Sequence, residues 1–148
     1  MFRGNHPTRV DEKGRLKLPA DFKRLVDEKY ANAFYITSVD GDRALIYPME
    51  EWQRIEEKLN AQPMFTPEVR QLSRLYMSRA MEASLDGAGR ILLPPDTRKQ
   101  AGLEKNVTLI GGGRRMFEVW DRPRFEEYER TQGDSLPTRF EKLSAYGV

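Results

Sequence analysis

The chain has 148 residues, with 25 Lys and Arg against 23 Asp and Glu and an isoelectric point near 8.9, a balance too mildly basic to identify a nucleic-acid partner from the total alone. It contains no cysteine, which excludes disulfides and thiolate metal sites and suits a reducing compartment. No apolar run approaches the roughly eighteen residues of a membrane span, and Met1-Phe2-Arg3-Gly4-Asn5-His6 leads into no signal-peptide core, so a soluble cytoplasmic protein is expected.

Taken in order, His6 to Val10 reads as a short edge strand, because Pro7 lacks the amide that a central strand needs. Asp11 to Gly14 reads as a hairpin turn, with Asp bonding its own following backbone and Gly14 supplying a positive φ. Arg15-Leu16-Lys17-Leu18 alternates charged and apolar residues, so Leu16 and Leu18 point into a core and Arg15 and Lys17 point out. Pro19 starts a helix to about Tyr30 with Phe22, Leu25 and Val26 on one face. Ala33 to Ser38 is a buried strand, Asp40-Gly41-Asp42 a turn, and Ala44 to Tyr47 the returning strand. Pro48 then opens an amphipathic helix to about Asn60 whose apolar face carries Trp52, Ile55 and Leu59.

Ala61 to Pro67 is a break, and Pro67 begins a helix to Met77 with the stripe Val69, Leu72, Leu75 and Tyr76, suited to a subunit interface. Residues 78–85 match the opening strand, and a second turn follows at Asp86 to Gly89. Pro94 and Pro95 start a short helix that Gly102 ends, Val107 to Ile110 is a strand, Gly111-Gly112-Gly113 is its hairpin turn, Met116 to Trp120 returns, and Pro123 to Arg130 is the closing helix. Residues 132–148 are expected to be partly ordered at best, with Phe140 and Leu143 as docking points.

The second half echoes the first. Asp11/Asp86, Gly14/Gly89, Arg15/Arg90, Leu18/Leu93, Pro19/Pro94 and Asp21/Asp96 recur seventy-five positions apart, which marks an internal duplication. The expected organisation is a first unit over 1–62, a connecting helix over 63–77, a second unit over 78–131 and a tail over 132–148. Each unit reads strand, turn, strand, helix, strand, turn, strand, helix, an α+β pattern. Units of about 60 to 70 residues bury a small fraction of their surface, so the halves should pack on each other or on neighbouring chains.

The turn arginines carry the strongest chemical signal. A guanidinium at the root of a two-stranded ribbon can fork onto guanine O6 and N7 in the major groove, and an Asp four residues back can fix its direction; equally, the pair can serve only to brace the turn. The first 24 residues hold seven basic residues, Arg3, Arg9, Lys13, Arg15, Lys17, Lys23 and Arg24, against three acids, so phosphate contacts are available near the first turn. Gly111 to Arg115 lacks the Gly-Lys-Ser/Thr of a phosphate loop, and His6 is the only histidine. No nucleophile with a base, no metal cluster and no cofactor motif emerges, so an enzyme is not expected.

With the paired Asp-x-x-x-Arg motifs, the Met-Phe-Arg-Gly start, the Leu-Lys-Leu-Pro-x-x-Phe-Lys run and the Leu-Leu-Pro that follows Arg90, the sequence resembles the MraZ family of bacterial transcriptional regulators along nearly its whole length. The resemblance implies two pseudo-symmetric swapped-hairpin units of the AbrB type with flanking helices, and assembly into a homo-oligomeric ring of eight or more chains. It also implies a nucleoid-associated protein that binds double-stranded DNA at short G-rich direct repeats upstream of the division and cell-wall gene cluster. Arg15 and Arg90 match the DNA-contacting arginines. Asp11, Asp86, Gly14 and Gly89 complete their turns, and Lys13, Lys17, Arg9 and Arg3 stand as further DNA-binding candidates. The second copy has Gly87-Ala88 for Glu12-Lys13 and Leu92 for Lys17, which makes it less charged. Two other readings remain at this point, an AbrB-like antitoxin and a ring-forming scaffold that binds proteins without DNA specificity.

Overall fold

Alternation of apolar and polar residues sets which side of each strand is buried, and turn chemistry sets where each strand ends. In the computed structural model, which describes residues 1–148, the first repeat supplies β1 (Phe2–Arg9), β2 (Arg15–Lys17), α1 (Ala20–Lys29), β3 (Ala33–Thr37), β4 (Arg43–Pro48) and α2 (Met49–Asn60). The linker holds α3 (Pro67–Leu72), which passes into a π-helical turn at Ser73–Met77. The second repeat supplies β5 (Met81–Ser84), β6 (Arg90–Leu92), α4 (Pro95–Gln100), β7 (Asn106–Arg114), β8 (Phe117–Asp121) and α5 (Arg122–Gln132), and α6 (Leu136–Lys142) follows. The expected order of strands and helices is present in both repeats.

The strands pair across the repeats. A six-stranded antiparallel sheet runs β1-β7-β8-β4-β3-β5, and a separate two-stranded ribbon is formed by β2 and β6. Exchanging the repeats maps β1-β7 onto β5-β3 and leaves β4-β8 and β2-β6 in place, so the chain has an internal pseudo-twofold axis through those two pairs. This is the swapped-hairpin arrangement. It corrects the simpler reading of Asp11 to Gly14 as the turn of a paired hairpin. The turn itself closes, with the Asp11 amide donating to the Arg15 carbonyl at 2.8 Å, but its strands then part, β1 to β7 and β2 to β6.

Leu16 and Ile91 face each other at the middle of the ribbon and are fully buried, beneath them a core of 19 residues drawn from both repeats. Phe2, Phe22 and Phe117 pack ring against ring with centroids about 5 Å apart, tying β1, α1 and β8 together. A smaller cluster of Leu45, Trp52 and Tyr76 attaches α2 and the π-helical turn to the opposite side, where the Thr37 hydroxyl donates to the Tyr76 carbonyl. Of the linker stripe only Tyr76 is buried, while Leu72 and Leu75 stay exposed.

Three further expectations change. β1 is an edge strand, as Pro7 requires, but extends from Phe2 because β7 offers it a partner along its whole length. Gly111 to Gly113 is no turn: β7 continues through Arg114, paired with Gly4 and Arg3 of β1 at Gly111 and Gly112, and at Gly111 β1 comes so close that only glycine leaves room, so the chain reverses instead at Arg115 and Met116. The tail is helical over Gly133–Tyr146 but undocked, with Phe140 59% exposed. No helix is long and apolar enough to cross a membrane.

Candidate nucleic-acid interface

Each turn is built around one carboxylate. Asp11 accepts the Lys13 and Arg15 amides on Oδ1, both at 2.9 Å, and the Arg15 Nε on Oδ2 at 2.8 Å. Asp86 repeats this, taking the Ala88 and Arg90 amides on Oδ1 and the Arg90 Nε on Oδ2, each at 2.9 Å. Gly14 and Gly89 adopt φ of 83° and 75°, the left-handed conformation that closes the loop one residue before the arginine. Three donors on each carboxylate, the Arg15 and Arg90 amides foremost, hold both aspartates below the usual carboxylate range.

The geometry fixes each arginine by its stem side. Nε is spent on the aspartate, whereas the terminal Nη1 and Nη2 of Arg15 and Arg90 make no hydrogen bond within the chain. That leaves the two-pronged end of each part-exposed guanidinium without a partner in the chain, the end that can fork onto two acceptors.

Arg15 lies opposite Leu92 and Lys17 opposite Arg90 in the ribbon. The Leu93 amide donates to the Gly14 carbonyl and the Leu18 amide to the Gly89 carbonyl, so Arg15/Leu92 and Lys17/Arg90 occupy the non-hydrogen-bonded positions. At such positions paired Cα atoms stand about 4.5 Å apart and the side chains lie close together on one face. The outer face of the ribbon therefore presents Arg15, Lys17, Arg90 and Leu92.

Lys13 and Lys17 are exposed beside Arg15, and Arg9, at the end of β1, borders an open groove with Asp11, Glu12, Arg98 and Lys105. Arg3 is placed elsewhere, at the far end of β1 and about 20 Å along the strand from Arg9.

Two cations come from the opposite repeat. The Arg98 guanidinium of α4 lies over Gly14, 2.9 Å from where a Cβ would stand, and the Lys23 chain of α1 covers Gly89 at 3.8 Å. Arg98 had no local signal beyond its offset of seventy-five from Lys23, which the swap turns into an exchange of places between the two turns. Lys23 is paired with Asp27 at 2.6 Å, whereas Arg98 has no carboxylate partner and donates through Nε to the Leu93 carbonyl. No three His, Asp or Glu side chains gather as metal ligands.

The family model described as "MraZ protein, putative antitoxin-like" matches residues 1–75 and again 76–144. A protein named Transcriptional regulator MraZ from Acidobacterium capsulatum is 51% identical over 113 residues, 75% of this chain and 76% of that one. Namesakes from Nitrosospira multiformis and Coxiella burnetii are 39% and 37% identical, each covering 97% of this chain and 99% of their own. Matched twice by the family model, once per repeat, and aligned with these relatives nearly end to end, the chain belongs to the MraZ family.

Proposed function

We propose that this protein regulates transcription by reading DNA with the β2/β6 ribbon. The observation that carries the reading is the pair of arginines held by Nε on one narrow ribbon with their Nη ends free. Two strands about 4.8 Å apart fit a major groove about 12 Å wide, where a free guanidinium fork matches O6 and N7 of guanine. Arg15 and Arg90 are diagonal neighbours about 7 to 8 Å apart, which corresponds to roughly two base-pair steps of 3.4 Å. Asp11 and Asp86 position the arginines, Gly14 and Gly89 shape the turns, and Lys13, Lys17, Arg9 and Arg98 supply phosphate contacts.

The resemblance supports the finer reading, in which a cytoplasmic, nucleoid-associated ring of eight or more chains presents many ribbons to short G-rich direct repeats upstream of the division and cell-wall genes. One ribbon offers few contacts, and linked ribbons on repeated sites multiply a weak affinity, so assembly belongs to recognition. Selection of bound sequences from random duplex DNA, repeated with Arg15→Ala and Arg90→Ala, tests this. Enrichment of a G-rich repeat by the wild type and its loss in either folded variant is expected; no enrichment by the wild type overturns the reading. The family's printed description favours a second reading, an antitoxin, for which co-purification of a small toxin is the discriminating result.

A further inference from the structure

The pseudo-twofold axis makes the two ends of the ribbon equivalent, and the outer face departs from that symmetry at one pair of positions. Arg15 is repeated by Arg90, but Lys17 is repeated by Leu92. Leu92 is 50% exposed while its neighbours Ile91 and Leu93 are fully buried, so the alternation of β6 places its side chain on the outer face with the arginines. It packs into neither core cluster. Its place opposite Arg15, at a non-hydrogen-bonded position, brings the two Cβ atoms to about 4.5 to 5.5 Å. An isobutyl group there is surrounded by three cations, Arg15, Lys17 and Arg90, and can satisfy neither a phosphate nor a base-edge acceptor.

Among the groups that base pairs expose in the major groove, the thymine 5-methyl is the apolar one. Successive bases are about 3.4 Å apart, and at the close end of the range of about 4.5 to 5.5 Å, where non-hydrogen-bonded pairs lie, the Arg15 to Leu92 spacing is nearer to one base step than to two. We infer that Leu92 packs on the 5-methyl group of a thymine one base step from the guanine that Arg15 reads, so that the ribbon distinguishes the two ends of its site. The inference rests on the DNA-binding reading and deepens it. Arg15 with Leu92 reads a guanine and a methyl; Arg90 with Lys17 reads a guanine and adds a cation. Two such unlike ends impose a direction on each bound site, whereas a ribbon with Lys at both positions would read it equally from either end.

The test uses the full-length protein and a duplex obtained by selection. Each dT in the bound site is replaced singly by dU, which removes only the methyl. Wild-type protein should lose about fourfold in affinity at one dT position and little at the others, as expected for one buried methyl group. Leu92→Ala should bind the dT and dU probes equally. Leu92→Lys, which copies the first repeat, should also lose the discrimination while its affinity falls more steeply with salt, by about one counterion. Equal wild-type binding of every dU probe overturns the role of Leu92 and leaves the DNA reading standing, as does a dU effect that persists in Leu92→Ala. Failure to select any bound duplex overturns the DNA reading, and this inference with it.

Discussion

Gly111 and Arg3 leave no space between them: a Cβ on Gly111 would stand 2.7 Å from the Arg3 Cα and closer still to its amide nitrogen. The contact joins the first strand of one repeat to the third strand of the other, where Phe2 enters the core. Gly111→Ala must therefore push β1 off β7. We expect it to lower stability by about 1 to 3 kcal/mol in urea unfolding, as overpacking does. Gly112, one residue on, would place its Cβ in open space, so Gly112→Ala should stay within about 0.5 kcal/mol of wild type. Equal effects at the two positions would show that the close approach is not what makes this stretch glycine.

Because hydrogen bonds to the charged form hold Asp11 and Asp86 below the usual carboxylate range, the folded state binds their protons more weakly than the unfolded chain does. The stability they contribute is fully present above the unfolded aspartate pKa of about 4 and is lost as pH falls through their lower folded values. The Asp11→Asn, Asp86→Asn double variant should accordingly show a shallower fall in stability below about pH 4 than wild type. Acid titration of both proteins by circular dichroism measures this, and parallel curves would remove the two carboxylates from the acid response.

Arg98 and Lys23 occupy equivalent places over opposite turns but differ in their partners. Lys23 already faces Asp27, while Arg98 has no carboxylate. Arg98→Ala should weaken DNA binding without altering the preferred sequence, and should reduce the slope of log affinity against log salt by about 1, the signature of one lost phosphate contact. Lys23→Ala should change the slope less. A sequence preference altered by Arg98→Ala would instead place that guanidinium on a base.

The turns and the order of elements were legible because their causes are local. An Asp bonding its own following amides, a Gly free to take a positive φ, and Leu16 and Leu18 at alternate positions each act within a few residues. Strand partners were not legible by the same means. Alternation says that Leu16 faces inward but not that Ile91 lies opposite it, and nothing near Phe2 announces that Arg114 is its neighbour. The glycine run shows the consequence: read locally it is a turn, whereas its cause is β1, a hundred residues earlier in the chain. Arg98 was missed for the same reason, since only the exchange of strands carries α4 over the first turn.

Tyr47 and Tyr76 share a hydrogen bond between their hydroxyls at the seam between β4 and the π-helical turn. Burial, and then this bond, push the Tyr76 hydroxyl well above the ordinary tyrosine range, and burial raises Tyr47 as well. A group whose folded pKa is raised contributes stability that is complete below its unfolded pKa, about 10, and is lost as pH rises beyond it. Stability should therefore drop above about pH 10, and Tyr76→Phe, which cannot ionise, should reduce that drop. Urea unfolding at pH 8 and pH 10.5 compares the two. If the variant loses as much as wild type between those conditions, ionisation at this seam is not the cause.

The exchange of strands makes a stronger claim about the halves. Of the 19 core residues ten lie before the linker and nine after it, and β1 and β2 find their partners only in β7 and β6. A fragment of residues 1–75 would keep the β3/β4 hairpin but leave β1, β2 and both edges of that hairpin unpaired, so as a monomer it should not fold. Yet the pseudo-twofold register means that a second copy of the same fragment can offer β3 to β1 and β2 to β2, in the places that β7 and β6 fill in the whole chain. Fragment 1–75 should consequently gain strand and helix signal in circular dichroism as its concentration rises, and mixing it with fragment 76–148 should fold both at lower concentration, because the two natural halves match better than two copies of one. A fragment that is folded and monomeric at every concentration would show that one repeat can close its own core, and that the exchange is a consequence of linking the repeats and not the condition for folding either.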